Sequence, residues 1–176
     1  MRFKVNGLEC TYFVTTTVIN HLPVLTIKGV PDILLNNLVF YQNKYSLKIF
    51  AYVIMPSHIH LIIWIPANVS VSNVMRDFKK FASVQIRDHL TECKSDFLTI
   101  LKKYGRKYER QHFKLWKPRS DKVALTTEKV YNIKLNYIHD NPVRAGLCLK
   151  QEDYLYSSAR NYLLYDDSVF AIDRIV

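Results

Sequence analysis

The chain has 176 residues, 49% hydrophobic and 23% charged, with 25 lysines and arginines against 15 aspartates and glutamates, a formal net charge of +10. That length holds one compact domain whose core needs no disulfide or structural metal, and the composition excludes a disordered chain. No run approaches the ~18 apolar residues of a membrane-spanning helix, the opening MRFKVNGLECTYF lacks the apolar stretch of a secretory leader, and Cys10, Cys93 and Cys148 fit neither a disulfide framework nor a zinc ribbon, so a reduced cytoplasmic protein with no membrane partner is expected.

In chain order, residues 10–20 (CTYFVTTTVIN) are rich in β-branched and aromatic types and read as a strand. Pro31 opens a helix over PDILLNNLVFYQNKY, with apolar positions 33, 34, 38, 39 and 40. LKIFAYVIM (47–55) and HIHLIIWI (58–65) read as strands separated by Pro56-Ser57. Residues 71–90 read as a helix with an apolar stripe at 71, 74, 75, 78, 81, 84 and 86 and a serine cap at 70 or 72. HFKLW (112–116) and KVALT (122–126) suggest a hairpin across KPRSD, and Thr126 or Thr127 caps a helix from Glu128 to about Asp140. Asn141-Pro142 should disturb that helix, because the residue before proline avoids the α region. Four glycines, at 7, 29, 105 and 146, leave no Gly-rich phosphate loop. The order strand, helix, strand, strand, helix, strand, strand, helix, with short strand-to-strand gaps, implies antiparallel pairing: one α+β domain over 1–176, a ferredoxin-like antiparallel sheet with helices packed on one face, and 150–176 as a C-terminal tail.

The positive charge is concentrated. Lys102, Lys103, Arg106, Lys107, Arg110, Lys114, Lys117, Arg119 and Lys122 stand against Glu109 and Asp121, so 102–122 carries +7 of the +10. Tyr104, Tyr108, Phe113 and Trp116 lie among them. Cations for phosphates and flat rings for bases suit a nucleic-acid surface. A solvated basic linker whose rings belong to the core would give the same composition.

Two chemical features stand out. His58 and His60 alternate along an apolar strand, so its period of two points both imidazoles to one face while Ile59, Leu61 and Ile63 take the other. Such a pair can converge on one ion, or one ring can be a satisfied half-buried histidine. There is no HExxH, no second HxH and no ligand-spaced cysteine, which disfavours a histidine-rich zinc hydrolase. Tyr137 and Asn141 are four residues apart and share one helix face. Asn141 offers a neutral oxygen ligand and Tyr137 a phenol, although an amphipathic helix with Val130, Ile133, Leu135 and Ile138 also has use for a core tyrosine.

Taken together, VIMPSHIHLIIWIP (53–66) and YNIKLNYIHDNPVRAGL (131–147) resemble the His-hydrophobic-His segment and the catalytic-tyrosine helix of the HUH single-tyrosine, insertion-sequence-type transposases, in particular the REP-associated tyrosine transposases. YFVTTTVINHLPVL (12–25), LWKPRSDKVAL (115–125) and EDYLYSSARNYL (152–163) extend the likeness over nearly the whole chain. The resemblance implies a ferredoxin-like fold with the HxH strand central. It implies His58 and His60 as metal ligands, Asn141 as a third, amide-bearing ligand, and Tyr137 as the nucleophile. It further implies a Mg2+- or Mn2+-dependent enzyme that cleaves and rejoins single-stranded DNA, at hairpin-containing sites, through a 5′-phosphotyrosine, with the 102–122 cations and Trp116 on the DNA. Monomer and homodimer are both compatible with the spacing. The alternative is a non-catalytic DNA-binding protein of the same fold.

Overall fold

The structure is a computed structural model; it describes residues 10–109 and 112–174, except the side chains of 106–109. The strands are β1 (Thr11–Thr17), β2 (Lys48–Met55), β3 (His58–Trp64) and β4 (Asp121–Ala124), and the helices are α1 (Val30–Tyr45), α2 (Val71–Glu92), α3 (Asp96–Glu109), α4 (Glu128–Arg144) and the short α5 (Ala159–Leu163). They form one four-stranded sheet of order β2-β3-β1-β4 in which every neighbouring pair is antiparallel. This is the ferredoxin-like arrangement: α1 joins β1 to β2, which lie on either side of β3.

Alternation along the strands divides the interior in two. Val14, Ile59, Leu61, Ile63, Tyr52 and Ile54 face α1 and α2 and share a core with Leu34, Leu38, Phe78 and Ile86. Phe13, Val53, Met55 and Ile62 face the other way and pack with Tyr131 and Ile138 of α4. A bulge in β2 at Phe50, between Ile49 and Ala51, puts Phe50 and Ala51 together on the α4 side. The outer edge of β2 is closed by the C-terminal segment: Val53 bridges Ser157, the Ile54 N–H donates to the Tyr156 carbonyl, and Asp173 exchanges bonds with Ile49. These bonds occupy backbone groups that a foreign strand would otherwise pair with.

Four local expectations are revised. Residues 112–116 form no strand. Trp116 makes an isolated bridge to Val18, and β4 pairs with β1 instead. The first part of the basic segment is helical, as α3, because Phe97, Leu98 and Leu101 supply an inward face to the main core. The buried stripe of α2 runs through 71, 74, 75, 78, 82, 86 and 90, leaving Phe81 and Val84 exposed. α4 does not stop at Asp140 but continues to Arg144 with Pro142 inside it. Proline lacks the N–H that would bond the Ile138 carbonyl, and the last turn is closed by the Ala145 N–H to the Asn141 carbonyl and the Leu147 N–H to the Pro142 carbonyl.

Candidate active site

β3 is central and pairs on both sides, which fixes its side chains tightly. His60 lies opposite Thr15 of β1 and Val53 of β2; His58 lies opposite Thr17 and Met55. Both rings project to the α4 side, with centroids 4.7 Å apart and planes at 74°. The His60 Nδ1 is hydrogen-bonded to the Thr15 hydroxyl at 2.8 Å, and the His58 Nδ1 lies 3.3 Å from the Ser57 hydroxyl. The ring of Phe13 stacks on His60 at 5.2 Å and 22°.

α4 delivers Tyr137 to this place. Thr127 caps the helix by accepting from the Val130 N–H, and Tyr131 and Ile138 seat it on β2 and β3. The Tyr137 ring centroid is 5.3 Å from that of His60 at 69°, and 5.9 Å from Phe13 at 76°. Lys134, one turn earlier, holds its ammonium 4.6 Å from the Phe13 ring centre and 5.5 Å from the Tyr137 ring centre. Asn141 stays one turn beyond Tyr137, its amide nitrogen donating to the Tyr137 carbonyl at 3.2 Å. That bond occupies the nitrogen end of the amide and leaves the oxygen as the end able to coordinate.

The electrostatics keep both imidazoles neutral. Burial lowers the His60 pKa to about 3, helped by the neighbouring His58 and by the Lys134 charge. Burial also lowers the His58 pKa, with His21 adding to it. Neutral rings present lone pairs, as metal ligation requires. The His60 Nε2 is buried and has no hydrogen-bond partner among the described residues. A buried ring nitrogen left bare is costly unless something fills its valence. With Thr15 holding Nδ1, the bare Nε2 beside His58 fits a metal ion. Among the described residues no three His, Cys, Asp or Glu side chains converge, so further ligands would come from an amide such as Asn141 or from outside the protein.

The basic residues are placed apart from this centre. Lys114, Lys117, Arg119 and Lys122 line a cleft of about 790 Å3 together with Arg76, Lys79 and Lys80 of α2, and among the described residues no carboxylate lines it. Val14, Met75 and Leu115 form its floor, so it opens on the α2 side of the sheet, away from Tyr137. Lys79 braces the cleft by donating to the carbonyls of Lys117 and Pro118, and burial lowers its pKa to about 8. Lys117 lies 2.7 Å from the His21 Nε2, the imidazole that acts on His58, so the cleft's end reaches the rim of the histidine pair. Lys102 and Lys103 are exposed on α3; Arg110 and the side chains of Arg106 and Lys107 fall outside the described residues. Lys114 is buried.

Trp116 corrects an expectation. It is 5% exposed, belongs to the main core and donates its indole N–H to the Lys79 carbonyl. Its ring anchors the basic loop to α2 and only its edge contributes to the lining of the cleft. Three neighbours of the site were missed in the sequence: Phe13, Thr15 and Lys134. A phenylalanine, a threonine in a threonine-rich strand and one lysine among many carry no distinguishing signal until register and helix rotation are known.

The family model described as "Transposase IS200 like" matches residues 8–141. Among solved structures, the chain is similar to a REP-associated tyrosine transposase bound to a REP hairpin, at 20% identity and a TM-score of 0.65, over 96% of this chain and 88% of that one. It is also similar to a putative transposase from Deinococcus radiodurans, at 16% identity and a TM-score of 0.51, over 74% of this chain and 88% of that one. No curated protein sequence shows significant similarity.

Proposed function

The chain belongs to the IS200-like transposases, enzymes that cut and rejoin single-stranded DNA with a catalytic tyrosine, and from that membership we propose that Tyr137 is its nucleophile and His58 and His60 its metal-holding pair. The observation that carries this reading is the 5.3 Å approach of the Tyr137 and His60 rings within a single chain.

The Tyr137 phenol oxygen attacks the scissile phosphorus. The bond to the 3′ oxygen breaks, the phenolic proton leaves and the departing 3′ oxygen is protonated, giving a 5′-phosphotyrosine and a free 3′-OH. Attack by another 3′-OH reverses the chemistry and returns the phenol. The covalent link conserves the phosphodiester's energy, so rejoining needs no nucleotide cofactor. His58 and His60, with the Asn141 amide oxygen as a third ligand, would hold a divalent cation, Mg2+ or Mn2+, which would supply positive charge to the scissile phosphate. Mn2+ accepts imidazole more readily than Mg2+ does. Lys134 adds a fixed positive charge beside the phenol. Phe13 packs against both His60 and Tyr137.

The substrate is single-stranded or hairpin DNA. Lys117, Arg119 and Lys122 offer phosphate contacts in the cleft, and Lys102 and Lys103 offer more on α3. With nucleophile and histidines meeting inside one chain, a monomer suffices. The test is incubation with a labelled hairpin oligonucleotide and Mn2+. The native protein should form an adduct that survives denaturation, and Tyr137→Phe should form none while binding the DNA normally. Absence of any adduct from the native protein would favour the non-catalytic DNA-binding reading.

A further inference from the structure

α4 has to present Tyr137 to His60, yet it carries a proline at 142 and so lacks the internal bond from that position back to Ile138. Besides the packing of Tyr131 and Ile138 on the sheet, it is held by polar contacts from the C-terminal segment. His139 points away from the Tyr137 face, is 4% exposed, and its Nε2 is 2.9 Å from the hydroxyl of Ser158. Ser158 is fully buried and is fastened to the Tyr52 backbone of β2: its N–H donates to the Tyr52 carbonyl at 2.9 Å, and its hydroxyl accepts from the Tyr52 N–H at 3.0 Å and lies 3.2 Å from the Tyr52 carbonyl. The same C-terminal segment takes hold of α4 at both ends. Tyr162 meets the Tyr131 hydroxyl and donates to the Phe50 carbonyl, while Gln151 donates to Asp140. Tyr154 donates to the Ile54 carbonyl. Segment 151–162 thus bonds to both the tyrosine helix and the outer edge of β2, and β2 is bonded directly to the strand that carries His58 and His60.

We propose that His139 and Ser158 are positioning residues for Tyr137, and that segment 151–162 is a splint that fixes the tyrosine helix against its own histidine pair. The proposal rests on the reading of Tyr137 as nucleophile. It gives the segment a role in catalysis although none of its residues reaches the reacting atoms. The relay runs from Tyr137 through α4 to His139, through Ser158 to the Tyr52 backbone, and across the β2–β3 ladder to His60. Positional errors of about 1 Å in a nucleophile can cost about 100-fold in rate.

The test uses the full-length chain with Ser158→Ala, His139→Leu and the conservative His139→Gln, whose amide can still meet the serine hydroxyl. Fluorotyrosine placed at position 137 gives a fluorine resonance whose shift reports contact with the Phe13 and His60 rings, without DNA or metal. In Ser158→Ala and His139→Leu the resonance should move toward its solvent position. Single-turnover adduct formation should slow at least tenfold, while hairpin affinity stays within about twofold. His139→Gln should restore both signals. Ordinary rates and an unmoved resonance in folded Ser158→Ala would overturn the proposal. Should His139→Leu fail to fold, Tyr154→Phe, which removes one hydroxyl of the splint, must show the same pattern in weaker form, and normal behaviour there would also overturn it. If the native adduct maps to another tyrosine, the nucleophile assignment fails, and the metal-free resonance still reports whether the splint holds α4.

Discussion

The hydroxyl of Thr15 lies 2.8 Å from the Nδ1 of His60, across the β1–β3 ladder. It settles which nitrogen of His60 is engaged and leaves the buried Nε2 bare on the side where Tyr137 stands. A hydroxyl that accepts from Nδ1–H fixes the tautomer with a lone pair at Nε2, the form a metal needs.

Thr15→Val keeps the shape and the β propensity but removes that hydrogen bond. Mn2+ affinity, measured by calorimetry or by water-proton relaxation, is expected to fall about 10- to 100-fold. The loss of folding stability should be about 1 kcal/mol, small enough to leave the protein native. Unchanged Mn2+ affinity would show that Thr15 does not orient the ligand.

Acid should unfold the protein earlier than its carboxylates require. Burial holds His60 neutral down to about pH 3 and His139 down to about pH 4, whereas both take up a proton near pH 6.5 once unfolded. Between those limits the unfolded state binds more protons, so stability is complete above about pH 6.5 and is lost as the pH falls below it. Each group contributes a slope approaching about 1.4 kcal/mol per pH unit in that window. Urea unfolding from pH 8 to pH 4.5 measures it, and His139→Gln should flatten part of the slope. A stability that is level across this range would contradict the buried neutral histidines.

The basic cleft should act as a phosphate surface with little base preference. Arg119→Gln combined with Lys122→Gln should weaken DNA binding for all sequences alike and lower the slope of log affinity against log salt by about 0.7 to 0.9 per lost phosphate contact. Trp116→Phe should leave that slope unchanged, because the indole is in the core. A slope insensitive to the double substitution would place the DNA elsewhere.

The parts of the site that were legible in the sequence are those set by local periodicity. Alternation placed His58 and His60 on one face of β3, and four-residue spacing put Tyr137 and Asn141 one turn apart on α4. What was not legible depends on register and long-range packing. Thr15 and Phe13 become site neighbours because β1 pairs with β3 in one register and not another. HFKLW alternates like a strand, yet its backbone is drawn to Val18 and the α2 side by the burial of Leu115 and Trp116. α3 was hidden because its many cations mask three inward apolar residues. Pro142 was expected to disturb α4 near Asp140; the helix absorbs it, and Ser158 and Tyr162 support the helix from outside.

One tyrosine of twelve, Tyr137, is assigned the covalent DNA intermediate. The direct measurement is proteolysis of the adduct formed with a hairpin oligonucleotide and Mn2+, followed by mass spectrometry of the nucleotide-bearing peptide. The modification is expected on Tyr137, and its disappearance, with no transfer to another residue, in Tyr137→Phe. A nucleotide found on any other tyrosine, or an undiminished adduct in Tyr137→Phe, would contradict it.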